Sequence, residues 1–233
     1  FLAVMVLIVY LTSRNMRIVA ITVIGMLFIG FVGLWEDTMI TLAIVTVSTL
    51  LAIVIGIPIG IMMARSDRAQ SLVNPILDVM QTLPSFVYLI PVVMVFGIGK
   101  VPGVIAVVIY AVPPMIRLTN LGIRLVDREV LEAADAFGSS PSQKLMNVQI
   151  PLALPTVMAG INQTIMMSLA MVVVASMIGV GGLGKNVLQA ISNQFLTIGF
   201  LNGFALVAIA IIFDRTSQAY GKRLQRHTEV VHG

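Results

Sequence analysis

Residues 38–64 read TMITLAIVTVSTLLAIVIGIPIGIMMA, with no Asp, Glu, Lys or Arg among them. A helix needs about 20 mostly apolar residues to cross the hydrocarbon core of a bilayer, and this run exceeds that. Its apolar residues are continuous. A barrel strand, with one face to lipid, would alternate. Within a bilayer each backbone N–H and C=O must be satisfied inside the segment, which a helix does alone. Glu36 and Asp37 precede the run, and Arg65 follows it.

The same absence of charge recurs over 18–35, 79–99, 101–116, 145–184 and 186–213. Spans are therefore expected near 18–34, 38–64, 78–98, 103–118, 152–178 and 197–213. A seventh, 1–12, is read as a span cut at its start. It does not read as a secretory leader, because no small-residue cleavage site follows and its basic residues come after the apolar run. Composition agrees: 58% of the 233 residues are hydrophobic and 10% are charged. An ordinary soluble domain carries about a quarter charged residues and leaves too much surface in water to hide this much apolar material. Disordered chains are poor in hydrophobic residues. There is no Cys, and the only two His lie at the C-terminal end, which excludes a disulfide scaffold and leaves zinc, haem and thiol chemistry almost nothing to use. The expected fold class is all-α, a polytopic membrane helical bundle of about seven spans.

Loop charges set an orientation, since Lys and Arg accumulate on the cytoplasmic side. With seven spans, Arg14, Arg17, Arg65, Arg68, Arg117, Arg124, Arg128 and Lys144 share one side with Arg215, Lys222, Arg223 and Arg226. Lys100 and Lys185 fall on the other side, with Trp35, Glu36 and Asp37. The N-terminus of this sequence is thus expected outside and the C-terminus in the cytoplasm of a cell (inner) membrane. The net charge of +4 is this excess beside anionic lipid and requires no nucleic acid. The chain divides into a partial span and basic loop at 1–17, a transmembrane domain at 18–213 and a basic tail at 214–233.

The long cytoplasmic loop, 117–151, carries the most information. Asp127 suits an N-cap, a short helix is expected over 128–137, and Gly138 stands where a left-handed C-cap residue belongs. Ser140, Pro141 and Gln143 spell a capping box with a helix-starting proline. The expected product is two short helices on a tight glycine turn, with Pro151 and Pro155 marking the return to the bilayer. Val130, Ala134 and Phe137 share one face of the first helix. Ala133, Ala134 and Ala136 keep it thin enough for a partner to approach its backbone. A DNA-binding helix-turn-helix fails on composition, because the second helix offers one Lys and no Arg.

Glu132-Ala133-Ala134, then Gly138, then Val148, Ile150 and Pro151 resemble the cytoplasmic "EAA" loop of ABC-importer permeases in order and spacing. Other stretches resemble the glycine betaine/proline betaine (osmoprotectant) branch. These are Gln81-Thr82-Leu83-Pro84-Ser85 running to Tyr88, Tyr110-Ala111-Val112-Pro113-Pro114 with Arg117, and Ile178-Gly179-Val180-Gly181-Gly182-Leu183-Gly184. The resemblance covers about 38–213. It implies a type I ABC-importer permease fold in a homodimer, with two cytoplasmic ATPase subunits and an extracytoplasmic substrate-binding protein as partners. It implies that Glu132, Ala133, Ala134, Gly138, Ser140, Pro141 and Pro151 form the ATPase-coupling site. ATP and Mg would be bound by the partner ATPase, and this chain would hold no cofactor or metal of its own. Candidate pathway or gate residues are Phe86, Tyr88, Tyr110, Asn162, Gln163, Gly181 and Gly182.

Several patterns carry less than they suggest. Gly179, Gly181 and Gly184 spell G-x-G-x-x-G, but a dinucleotide site needs a preceding strand and an acid about 20 residues on. An apolar span precedes this one, and the next acid is Asp214. The turn is expected to let the backbone leave the span and re-enter as a short helix through Gln194. The 15 Met residues, Met166, Met167 and Met171 among them, could offer thioethers to Cu(I), but Met also packs adaptably and packing is the favoured reading. Asn162, Gln163, Thr164 and Ser168 either line a pathway or bond between helices. Gly56, Gly60 and Ala64 suggest close helix packing. Convergent titratable groups, which acid–base catalysis requires, are essentially missing from the spans, so catalysis is not expected. Two alternatives remain. One is an ion-coupled secondary transporter or channel, for which intramembrane ionisable residues would be expected. The other is an ABC permease for another small solute such as an amino acid.

Overall fold

The computed structural model describes residues 2–229, with side chains through residue 221. The start at Phe1 and the tail charges Lys222, Arg223 and Arg226 lie outside those described side chains. Helices account for nearly all of the described chain, and no strand occurs among these residues. α1 (Leu2–Ser13) and α2 (Met16–Val32) are short and apolar. α3 runs from Trp35 to Arg65. Glu36 and Asp37 sit in its first turn and Arg65 in its last, each complementing the helix dipole. α6 (Lys100–Arg124), the stretch Pro141–Ile178 and the stretch Leu196–Gly221 are likewise long and apolar enough to cross a membrane.

The span expected over 78–98 is not one helix. α4 (Asp67–Thr82) ends, a 3-10 turn spans Ser85–Tyr88, and α5 covers Leu89–Phe96. The two halves are bent by 112°. The cause is local: a residue before proline is driven out of the helical region, and Leu83, before Pro84, has φ −68° and ψ 135°. The reverse occurs in α6, which continues through Pro113 and Pro114 with both buried. α6 therefore absorbs residues 117–124 of the expected loop, and the loop proper starts at Leu125. After α7 (Arg128–Ala136) and α8 (Pro141–Lys144), a π turn at Leu145–Gln149 leads into α9 (Ile150–Ala175). A 3-10 turn (Ser176–Ile178), α10 (Leu183–Asn193) and α11 (Leu196–Glu229) complete the chain.

α6 is the centre of the bundle, pressed between α3 and α9. A Cβ on Gly60 of α3 would lie 2.6 Å from Thr119 Cβ and 2.8 Å from the Ile116 carbonyl oxygen. One on Gly122 of α6 would lie 2.9 Å from Thr156 Cβ and 3.1 Å from the Ala153 carbonyl oxygen of α9. Small residues thus bring three backbones into direct contact. Ala64 packs in the same region, against the cluster of Ile123, Leu145 and Ala153. α4 lies against this core through Val73, Leu77 and Met80. Two arginines of α6 pin it: Arg117 pairs with Asp78, and Arg124 reaches Asp67 Oδ1 at 2.7 Å and the Met63 carbonyl at 2.9 Å.

Candidate functional site

The loop helices stand as the sequence predicts. Asp127 accepts a hydrogen bond from the Glu129 backbone N–H at 2.9 Å and opens α7. Gly138 has φ +76°, a conformation that costs a residue with a Cβ about 1–2 kcal/mol. Its N–H donates to the Asp135 carbonyl at 2.9 Å, and that of Ser139 to the Ala134 carbonyl at 3.0 Å, closing the helix. The capping box is complete: Ser140 N–H donates to Gln143 Oε1 at 2.9 Å, and Gln143 N–H to Ser140 Oγ at 3.3 Å. Lys144 Nζ then bridges both Asp135 oxygens, at 2.6 and 2.7 Å, locking α8 to α7. Glu132 and Ala133 are exposed, Ala134 is half-buried, and Pro151 lies at the base in the first turn of α9. The knob presents Phe137, 91% exposed, together with Val130 and Met146. Phe137 and Met146 were absent from the expected site set. Phe137 becomes a candidate contact residue only once α7 is known to pack away from the bundle.

The pathway candidates separate into three places. Tyr88 is buried and stands edge-on to Tyr110, ring centroids 5.9 Å apart at 73°, and its hydroxyl donates to the Met80 carbonyl. The pair ties the α4–α5 bend to the middle of α6. Nothing in the sequence spacing signals that these two candidate residues stack on one another. Phe86 points elsewhere and is exposed.

Gly181 and Gly182 lie in a knot at the far end of the bundle from the loop helices. Thr41 Oγ1 donates to the Asp37 carbonyl at 2.8 Å and accepts from Leu183 N–H at 3.0 Å. Asn186 Nδ2 donates to Asp37 Oδ2 at 2.6 Å and to Asn202 Oδ1 at 3.0 Å. Gly99 N–H donates to the Ile178 carbonyl at 2.8 Å. The turn therefore joins the ends of α3, α6, α9 and α11. α10 follows as expected and stops where Gln194 takes φ +59°.

The four polar residues of α9 divide. Thr164 bonds back to the Gly160 carbonyl at 2.8 Å, and Ser168 accepts from Thr49 of α3 at 3.1 Å; both are buried. Asn162 and Gln163 line an open pocket of about 510 Å³ with Met158, Met166, Ser217 and Gln218. Asn162 also holds Asp214, donating from Nδ2 to Oδ1 at 3.1 Å. Met171 is fully buried in the main core, a packing role.

Residues 56–226 match the model of the family described as binding-protein-dependent transport system inner membrane component. The chain belongs to this family. It is an ABC-transporter permease and a multi-pass inner-membrane protein. Among its relatives, the glycine betaine/proline betaine transport system permease ProW of Escherichia coli is 52% identical over 201 residues, 86% of this chain. The glycine betaine/carnitine transport permease GbuB of Listeria monocytogenes is 52% identical over 211 residues, 91% of this chain and 75% of that one. OpuAB of Bacillus subtilis, a glycine betaine transport system permease, is 48% identical over 84% of this chain and 70% of that one. The permease thus groups with the glycine betaine branch. It spans 57% of the length of the E. coli relative. Its fold is that of an inward-facing MetNI methionine ABC transporter structure, with TM-score 0.73 at 20% identity over 79% of this chain and 93% of that one.

Proposed function

We propose that this chain is the transmembrane permease subunit of an ATP-driven importer for quaternary-amine osmoprotectants such as glycine betaine. Two copies form the conduit. Cytoplasmic ATPase subunits, which bind ATP and Mg, drive it, and an extracytoplasmic binding protein delivers the ligand. The reading rests on the α7–α8 knob, a capped, ion-paired projection with an exposed Phe137, in a chain about half identical to glycine betaine permeases. Glu132 through Gly138, with Ser140 and Pro141, dock into the ATPase, and Pro151 anchors the knob to α9. In this orientation the knob and the end of α11 are cytoplasmic, and the glycine turn is outside. A thousandfold gradient costs about 4 kcal/mol at about 1.4 kcal/mol per tenfold, so the conduit needs that partner.

The test is purification of the tagged permease with its neighbours, followed by an ATPase assay with and without glycine betaine and binding protein. A stable ATPase partner whose hydrolysis rises with ligand is the expected result. Uptake that persists without any ATPase, driven by an ion gradient, would refute it.

A further inference from the structure

Six residues of α9 are exposed, and they fall on one line: Leu152, Pro155, Ala159, Gln163, Met166 and Ala170. Their spacings are three and four, which stack residues on a single helix face. All others in α9 are buried or half-buried. Gln163 stands in the middle of the line. It lies about 20 Å of helix from Ile150 and about 18 Å from Ala175, at 1.5 Å per residue. That places it near the centre of a hydrocarbon core about 30 Å thick. Its side-chain amide has no partner among the described residues.

Lipid cannot serve this amide. It carries two N–H donors and a carbonyl acceptor, and polar groups left bare in hydrocarbon are costly. The middle of α3 shows the contrast: its exposed Val47, Leu50, Leu51 and Val54 are all apolar and suit acyl chains. The α9 line is also recessed. Pro155, Ala159, Gln163 and Met166 form one wall of the open groove of about 510 Å³, and Ser217, Gln218 and Gly221 of α11 form the other. Ala159 and Ala170, on either side of the amide, leave room for another helix to approach the backbone.

We propose that this line is the seam between two copies of the chain, and that Gln163 pairs there with Gln163 of the partner subunit. A two-fold axis presents a residue on it to its own copy. A carboxylate or an ammonium would then face a like charge. An amide is self-complementary, because the N–H of each donates to the carbonyl oxygen of the other. The reciprocal pair satisfies on both sides what one copy alone leaves open, and such side-chain bonds hold helices together within membranes. This deepens the two-copy conduit proposed above and rests on it for the number of copies, while the position of the seam is tested separately.

The chain has no cysteine, so Gln163→Cys, Ala159→Cys and Val54→Cys each give it a single thiol, and any link between two permeases joins a position to itself. The transporter, assembled with its ATPase in native membranes, is treated with a short bis-methanethiosulfonate, and linked permease dimer is read on a denaturing gel. Strong linking is expected at 163, weaker linking at 159, and at least about tenfold less at 54, because thiols held far apart cannot be bridged. Should Gln163→Cys fail to accumulate, Ala159→Cys, one turn away, carries the same test. Adding Gln163→Leu to Ala159→Cys should slow linking at least about threefold, the worth of one hydrogen bond within a membrane; an unchanged rate would remove the amide pair. Linking at 54 in place of 163 and 159 would put the seam on another face and overturn the proposal. So would a Gln163→Cys thiol that stays unlinked and reacts with a water-soluble maleimide, marking an aqueous path, or only with a lipid-soluble one, marking the bilayer. Light scattering of the purified assembly counts the permease copies independently. One copy would overturn the two-copy conduit together with the seam, and two copies without the link would overturn the seam alone.

Discussion

Two adjacent glycines of the turn at residues 179–184 should respond very differently to alanine. Gly182 has φ +100° and ψ −167°, a region that is essentially glycine-only and costs about 1–3 kcal/mol for other residues. A Cβ there would also meet Thr41 Oγ1 at 2.5 Å and the Asp37 carbonyl oxygen at 3.0 Å. Neither atom is free to withdraw, because Thr41 is bonded to Asp37 and to Leu183. Overpacking of this kind adds about 1–3 kcal/mol, so Gly182→Ala should cost about 2–6 kcal/mol. Gly181 is not among the positive-φ glycines, and its Cβ would approach nothing nearer than Ile40 Cγ2 at 3.8 Å. Gly181→Ala should stay within about 0.5 kcal/mol. At about 2–4 °C per kcal/mol for chains of this size, Gly182→Ala lowers the apparent Tm by at least about 4 °C and Gly181→Ala by less than about 2 °C. The assay is fluorescence-detected size exclusion of a GFP-tagged chain in detergent after a heating series. Equal Tm values for Gly182→Ala and the unaltered chain, or an equal loss at Gly181, would refute the reasoning.

Gly138→Val, at φ +76° with open space around it, should leave insertion intact and lower the apparent Tm by about 2–8 °C, from a backbone cost of about 1–2 kcal/mol, while cutting ligand-stimulated uptake at least about tenfold, because the strain twists the knob without touching the core. Normal uptake by a well-expressed variant would count against the knob as the docking element. Tyr88→Ala or Tyr110→Ala should lower transport rate more than they change which ligands are accepted. Each dissolves an aromatic pair worth about 0.5–1.5 kcal/mol beyond area burial, while the binding protein proposed to deliver the ligand is expected to set which ligands are accepted. Competition by choline and carnitine against labelled glycine betaine checks this, and a changed order of competitors would oppose it.

What the sequence disclosed was local. Asp127, Gly138, Ser140 with Gln143, and Gln194 announce helix ends because caps are made from residues a few positions apart. The folded α7, α8 and α10 match those signals within a residue. The break at Leu83–Pro84 was also written locally, in the residue before a proline, but the unbroken apolar run masked it. The misses are long-range. Tyr88 meets Tyr110, and Asn162 meets Asp214, only after helices far apart in sequence are packed. Phe137 looked like a face residue of a small helix, and only the fold shows that nothing among the described residues covers it.

The glycine seams on either side of α6 have a mechanical consequence. Side chains can take up a small displacement by changing rotamer, as a cushion does. At Gly60 and Gly122 there is no cushion, only backbone against neighbouring atoms. α3, α6 and α9 must therefore shift together, as a stiff strut about 38 Å long by the helical rise of α6. One end of that strut carries the loop helices, and the other is bonded through Gly99 and Ile178 to the glycine turn. A thrust applied at α7 reaches the opposite face of the membrane nearly undiminished. Compliance is left to the parts hung on the strut by side chains alone, α1, α2 and the bent α4–α5 arm.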